Sequence, residues 1–345
     1  MNKIFDYIKF KIKLYRCKNT CIFGSVYSLL LYILQCPDDE LEKTFYMCYA
    51  PEIDYITKKL PFCDTCYELW WDRVDKYKLW YYRLKSLTKY FAVRFTKIYA
   101  QANALGATQL IGHRDYIVIE DGHGYFTYAN NDPSVQPFDI PNTFWGWRQR
   151  LKYGLLYGKR MGQSKQCVNR LITADFDADS PWIKGRKYTL LNLEELWRSA
   201  SDYKKRFLYD VYGINDDMLG EVRKCHTIVL TQPWAEAYLI PEHEVAAIYA
   251  PYIEKYKDTG VVIKPHPREK LDYRKYFPDV YIWETRAPLQ LFMLMGLCFD
   301  NAVTVNSSAV SLFTKSTNII WLGTEVHPTI CKRGGHSNIE DFIKR

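Results

Sequence analysis

The chain has 345 residues, 48% of them hydrophobic and 25% charged, which is long enough for two domains with a core each and excludes a disordered or fibrous protein. Lys and Arg number 47 against 39 Asp and Glu, and the net charge of +8 suits an anionic partner: a nucleotide, a phosphorylated glycolipid or a membrane surface. Aromatic residues make up 16%, enough both to fill cores and to stack on sugars and bases.

Residues 3–18 alternate bases with Phe5, Ile8, Phe10, Ile12 and Leu14. They read equally as a basic amphipathic segment on an anionic membrane and as a solvated helix or edge strand. No apolar stretch with a small-residue cleavage site follows, and the best apolar run, residues 26–34, is too short to span a bilayer. With no secretory signal, the 10 Cys are expected to be reduced thiols. The expected location is the cytoplasm, with peripheral contact to the cytoplasmic face of the inner membrane. Cys63-Asp64-Thr65-Cys66 has no second ligand pair at zinc-site spacing and is not expected to bind metal.

Residues 19–25 predict a strand and a small-residue turn, and residues 26–35 a helix, the opening unit of a nucleotide-binding fold. The stretch 69–101, rich in Trp, Tyr, Lys and Arg and free of Gly and Pro, predicts one or two long helices. Residues 116–119 predict a short strand running into Glu120-Asp121-Gly122-His123-Gly124. Residues 144–160 combine Trp145, Trp147 and Leu151 with several bases, which fits a surface helix with snorkelling side chains or a lipid contact. The polar stretch 193–224 predicts an interdomain connection, dividing the chain into 1–215 and 216–345. Beyond it, strands at 227–231, 260–264, 280–283, 302–305 and 319–323 alternate with helices at 242–256 and 288–296. This α/β alternation predicts two Rossmann-like, doubly wound domains.

Ligands of such sheets sit beyond the carboxyl ends of the strands. Three polar clusters occupy that position: Glu120-Asp121-Gly122, Lys264-Pro265-His266-Pro267 and Ser307-Ser308. Each alone is a weak signal, since carboxylates before Gly form turns and serines after strands cap helices. Together they fit a nucleotide-using transferase. Asp121, backed by Glu120, would take a proton from an attacking hydroxyl, and Gly122 would let the backbone turn tightly. His266 would hydrogen-bond or protonate a leaving phosphate, with Lys264 adding positive potential. Ser307 and Ser308 would start a helix whose N–H groups bind an anion. The candidate carboxylates and His266 fall in different halves, so metal-independent chemistry is expected, with no cofactor besides the donor substrate.

Residues 119–122, 263–269 and 306–309 resemble, in order and spacing, the acidic-Gly, HP and serine motifs of bacterial sialyltransferases, and most nearly those of glycosyltransferase family 52, the lipooligosaccharide sialyltransferase family. The resemblance runs over roughly residues 19–325, and its HP block is the most specific part. It implies a GT-B fold, two Rossmann-like domains facing a central cleft, with the acceptor on the N-terminal side. CMP-sialic acid would be bound mainly by the C-terminal domain and transferred to a glycan with inversion. It also places His266 and the serines at the CMP phosphate, and Thr231-Gln232-Pro233 resembles a Gln-Pro element of CMP-sugar transferases. Lys264, Pro267, Gln232 and Glu236 are accordingly expected in the donor site.

The resemblance departs at Gln290, where a carboxylate is expected after Pro288; Glu284 or Glu236 would have to replace it. Glu236 also competes with Asp121 for the role of base. Alternative readings are transfer of another CMP-activated acid sugar such as Kdo, or a non-catalytic nucleotide- or sugar-binding protein. Bases scattered among acids, with no recognition motif, argue against nucleic acid as a partner. The acceptor and its linkage stay open, as does homodimer formation.

Overall fold

The computed structural model describes residues 16–65, 96–101, 111, 114–121, 143–144, 167–173 and 185–341. Expectations for residues 3–15, 66–95 and 145–160, and for Cys66, Gly122, His123 and Gly124, lie outside the described residues. The chain forms two compact units, Met1–Val211 and Tyr212–Arg345.

The first unit holds a seven-stranded parallel sheet: β1 Asn19–Phe23, β2 Thr44–Cys48, β3 Cys63–Thr65, β4 Lys97–Gln101, β5 Tyr116–Ile119, β6 Cys167–Thr173 and β7 Thr189–Leu191, in the order β3-β2-β1-β4-β5-β6-β7. β1, β2 and β5 are buried along their whole length, as parallel strands covered on both faces must be. After β1 the chain turns at Gly24, where a Cβ would stand 2.2 Å from the Tyr49 ring and force that ring to move. Helix α1, Val26–Gln35, follows, its first turn capped by the Ser25 hydroxyl, which accepts from Ser28 N at 3.1 Å. Its other end is closed by a buried lysine. Lys204 Nζ donates to Leu34 O at 3.2 Å and Cys36 O at 2.6 Å, and pairs with Asp38 at 3.3 Å. A cation on the last carbonyls of a helix is favoured by the helix dipole.

Residues 97–101 are a correction: the expected long helix gives way to β4. β4 lies between β1 and β5 and buries Ile98, Tyr99 and Ala100. Pairing on both edges overrides the helical spacing of the run that precedes it. Residues 193–224 form three helices, α2 Leu193–Arg198, α3 Asp202–Tyr212 and α4 Asp216–Arg223. Through Lys204, α3 is anchored to the first unit.

The second unit follows the expected elements closely. Strands β8 Thr227–Leu230, β9 Val261–Lys264, β10 Tyr281–Ile282, β11 Asn301–Thr304 and β12 Asn318–Trp321 form a parallel sheet in the order β10-β9-β8-β11-β12. Helix α5, Trp234–Tyr238, leads to α6, Glu242–Tyr256, which packs Val245, Tyr249 and Ile253 into a core with Val229, Ile263 and Val303. Leu230 is level with Lys264 on one side and Thr304 on the other, so β9, β8 and β11 end together. In both sheets the strand order reverses beside the first strand, between β1 and β4 and between β8 and β11. Open α/β sheets bind ligands at such reversals.

Candidate active site

The carboxyl ends of β9, β8 and β11 bring Lys264, His266, Gln232, Ser307 and Ser308 onto neighbouring strands around the reversal of the second sheet. Lys264 ends β9 and is half-buried. No acceptor for its ammonium occurs among the described residues, and burial alone pushes its pKa down to about 8. A desolvated cation without a counter-ion is costly unless a ligand supplies the anion.

His266 follows in the turn after Pro265. Its Nδ1 accepts from Arg268 N at 3.2 Å, which leaves the ring proton on Nε2. Burial, helped by Arg268 and Lys264, pushes its pKa down to about 4, so the ring is neutral at physiological pH. His327 supplies an internal comparison. Its Nδ1 accepts from Thr329 N at 3.2 Å in the same way, but its Nε2 lies 2.9 Å from Glu244 Oε2. Among the described residues no such acceptor meets Nε2 of His266, and that donor is available to a ligand.

The loop that carries His266 is braced by two carboxylates. Glu269 accepts from Thr231 Oγ1, from His266 N at 3.1 Å and from Tyr273 Oη at 2.7 Å. Burial, with Glu236 adding repulsion, pushes its pKa up to about 7. Glu236 Oε1 accepts from Lys270 N at 2.5 Å, and its Oε2 is buried with no donor. Glu236, expected near the donor or as a base, thus ties α5 to the loop. Gln232 is half-buried at the end of β8, and Pro267 is exposed.

At the end of β11, Thr304 Oγ1 donates to Leu230 O at 2.9 Å and accepts from Ser307 N at 3.2 Å. Ser307 is buried and its hydroxyl accepts from Ala309 N at 3.3 Å. The serines do not start an α-helix as expected: residues Ser308–Leu312 form a five-residue 3-10 turn. That turn is too short to build an appreciable dipole, which leaves the exposed Ser308 hydroxyl as the group a ligand would meet. Glu284 does not replace the missing carboxylate at Gln290, because it pairs with Arg274 at 2.9 Å on the surface. Gln290 itself is half-buried in the first turn of α7, Leu289–Leu294.

In the first unit Glu120 and Asp121 follow β5. Glu120 is buried and its carboxylate accepts from Tyr27 Oη at 2.8 Å, Thr173 N at 3.0 Å and Thr173 Oγ1 at 2.8 Å. It braces α1 and β6 rather than presenting itself to a substrate. Asp121, the next residue, is half-buried. Sequence reasoning missed Gln101 at the end of β4. Its Oε1 accepts from Gly24 N at 2.6 Å and Ser28 Oγ at 2.8 Å, bridging the reversal of the first sheet. The signal, a lone amide closing an apolar strand, was hidden by the helical reading of the run. Among the described residues no group of three His, Cys, Asp or Glu side chains is placed to hold a metal ion. Nor is any described helix long and apolar enough to cross a membrane.

Two solved structures share the fold. An α/β-galactoside α-2,3-sialyltransferase from Photobacterium phosphoreum superposes with a TM-score of 0.54 at 10% identity, covering 87% of this chain and 89% of that one. The GT-B domain of a sialyltransferase from Photobacterium damselae gives 0.53 at 12% identity, covering 94% and 98%. The architecture is accordingly GT-B. An uncharacterized protein of Haemophilus influenzae (strain ATCC 51907 / DSM 11121 / KW20 / Rd) is 29% identical over 154 residues, which is 45% of this chain and 50% of that protein. The chain thus matches about half the length of that relative. The sequence pattern of glycosyltransferase family 52 matches residues 81–330, a span that takes in β4 to β7 of one sheet and the whole of the other, and the chain belongs to that family.

Proposed function

We propose that this glycosyltransferase moves sialic acid from CMP-sialic acid to a glycan acceptor, a galactoside of lipooligosaccharide or of a surface polysaccharide, with inversion and without a metal. What carries the reading is the open cationic corner of the second sheet: a Lys264 ammonium with no acceptor among the described residues, the Nε2–H of His266 and the exposed Ser308 hydroxyl, all at the strand reversal. These groups fit a phosphate. The similar structures from Photobacterium are sialyltransferases, which favours a CMP-linked acid sugar over other nucleotide donors.

In this reading the acceptor hydroxyl attacks the anomeric carbon and Asp121 takes its proton. The bond to the phosphate oxygen breaks on the opposite face, which inverts the centre. Charge grows on the phosphate, where His266 donates through Nε2–H and Lys264 offsets it through space. A neutral histidine suffices, because CMP leaves as an anion that needs hydrogen bonds more than a proton. Lys264 supplies the charge a divalent cation would otherwise provide. The protein would work in the cytoplasm, at the membrane face where glycolipid acceptors are built.

The decisive experiment incubates the protein with CMP-sialic acid, CMP-Kdo and UDP-sugars, with and without EDTA, and scores free nucleotide. Release from CMP-sialic acid, undiminished by EDTA, is expected. Release from CMP-Kdo alone would move the donor to another acid sugar, and release from a UDP-sugar alone would sink the CMP reading. No release from any donor favours a non-catalytic binding protein.

A further inference from the structure

Three hydrogen bonds converge on a residue that takes no part in the proposed chemistry. Glu269 Oε2 accepts from the Thr231 hydroxyl at the end of β8 and from the backbone N–H of His266, at 3.1 Å in the latter case. Its Oε1 accepts from Tyr273 Oη at 2.7 Å. Tyr273 is fully buried and lies edge-on to the equally buried Tyr249 at 6.4 Å, so this end of the clamp is set in the core. The Glu269 carboxylate thus joins a fixed strand end, a fixed core phenol and the backbone N–H of His266, the residue that carries the ring. The same turn carries a backbone bond from Glu269 N to His266 O at 2.9 Å and the bond from Arg268 N to His266 Nδ1 at 3.2 Å.

We infer that Glu269 is the positioning residue of this loop, fixing the tautomer and the aim of His266. The inference deepens the donor-site reading and rests on it for its functional consequence. Its structural half, control of the ring, stands without any ligand. Acceptance by the carboxyl oxygens is the essential property, and negative charge is not. A glutamine whose carbonyl replaced Oε2 would keep the Thr231 and His266 bonds. Its amide would then face Tyr273, whose hydroxyl can turn from donor to acceptor. Alanine offers none of this and strands three donors.

The test uses the full chain with its histidines labelled with nitrogen-15, observed by NMR, alongside CMP titration by calorimetry and a thermal midpoint for every variant. In the unsubstituted protein the His266 ring is expected to show one fixed Nε2–H tautomer. Glu269→Ala should collapse it toward the solvent-averaged pattern and weaken CMP binding by about tenfold or more, the scale of losing a hydrogen bond to a charged group. Glu269→Gln should hold the tautomer and keep CMP affinity within about threefold. Should Glu269→Ala not fold, Thr231→Val removes one tether at constant shape and should broaden the same ring signals with a smaller loss of affinity. An unmoved ring in folded Glu269→Ala or Thr231→Val overturns the inference. So does a folded Glu269→Gln that behaves like Glu269→Ala, since charge would then be what matters. If CMP fails to bind the unsubstituted protein, the donor reading falls while the ring signals still decide the role of Glu269.

Discussion

The strand ends of the two sheets treat their polar groups in opposite ways. In the first sheet the Gln101 carbonyl and the Glu120 carboxylate are taken up by protein donors: Gly24, Ser28, Tyr27 and Thr173. In the second sheet Lys264, Nε2 of His266 and the Ser308 hydroxyl meet no protein partner among the described residues. Saturated groups build a scaffold, whereas buried groups left open cost stability that only a ligand recovers. The comparison makes the second sheet the place to test for anion binding and gives Glu120 a bracing role. It leaves Asp121 as the carboxylate of the first sheet with a chemical role to test.

The largest effect should come from that test. Asp121→Asn keeps size and most hydrogen bonding but removes the proton acceptor. Transfer should fall by roughly two to four powers of ten, in kcat more than in KM, with CMP affinity unchanged. Glu120→Ala should differ in kind, because it strands three half-buried donors and lowers the thermal midpoint through a loss of about 1–3 kcal/mol. If Asp121→Asn transfers normally while Glu236→Gln does not, the base lies in the second unit. His266→Ala should cost about a hundredfold in turnover with the fold intact, the usual scale for an oxyanion donor. Near-normal turnover would reduce the ring to a turn cap like that of His327.

Lys264 sharpens the comparison through pH. Burial has lowered its pKa to about 8, so the charged form is disfavoured in the fold. Its desolvation costs roughly 2–4 kcal/mol below pH 8 and is relieved as pH climbs from 8 toward 10.5, where the folded chain sheds the proton first. Over the same window CMP affinity should fall, by up to about tenfold per pH unit, because the empty site loses its cation. Lys264→Met should melt higher than the unsubstituted protein at pH 7, bind CMP about tenfold or more weakly, and show no pH dependence above 8. A variant that melts lower would mean that a protein group already compensates the ammonium.

Much of this was legible in sequence where local signals suffice. Ser25 before an apolar run marked α1, and Val261-Val262-Ile263 between Gly260 and Pro265 marked β9, with its end at Lys264. Local signals fail where a partner strand decides. Lys97–Gln101 continues a run with no Gly or Pro, and nothing nearby announces that β1 and β5 will flank it. The same holds for Glu269, an unremarked acid beside the HP motif until the fold brings Thr231 and Tyr273 to it. Ser307-Ser308 misled for a physical reason. Two serines before Ala309-Val310 look like a helix cap, but the segment reaches Phe313-Thr314 after little more than one turn and the chain leaves for β12.

That short turn gives the smallest and most discriminating prediction, because it separates two serines that sequence treats alike. The Ser307 hydroxyl is buried and already accepts from Ala309 N, so it serves the turn. The Ser308 side chain is exposed and meets no protein partner among the described residues, so it is the one a phosphate would meet. Ser308→Ala should therefore weaken CMP binding by about 1 kcal/mol, roughly fivefold, and leave the thermal midpoint in place. Ser307→Ala should do the reverse, lowering stability by about 1 kcal/mol for the lost cap while CMP affinity of the folded protein changes little. Had the serines opened a true α-helix, the two substitutions would weaken CMP binding together, since the helix amides and dipole would share the anion. Calorimetry with CMP and a melting curve on both variants distinguish the cases. Equal losses of affinity would restore the helix-terminus site, and no loss in either would confine the anion site to the β9 end.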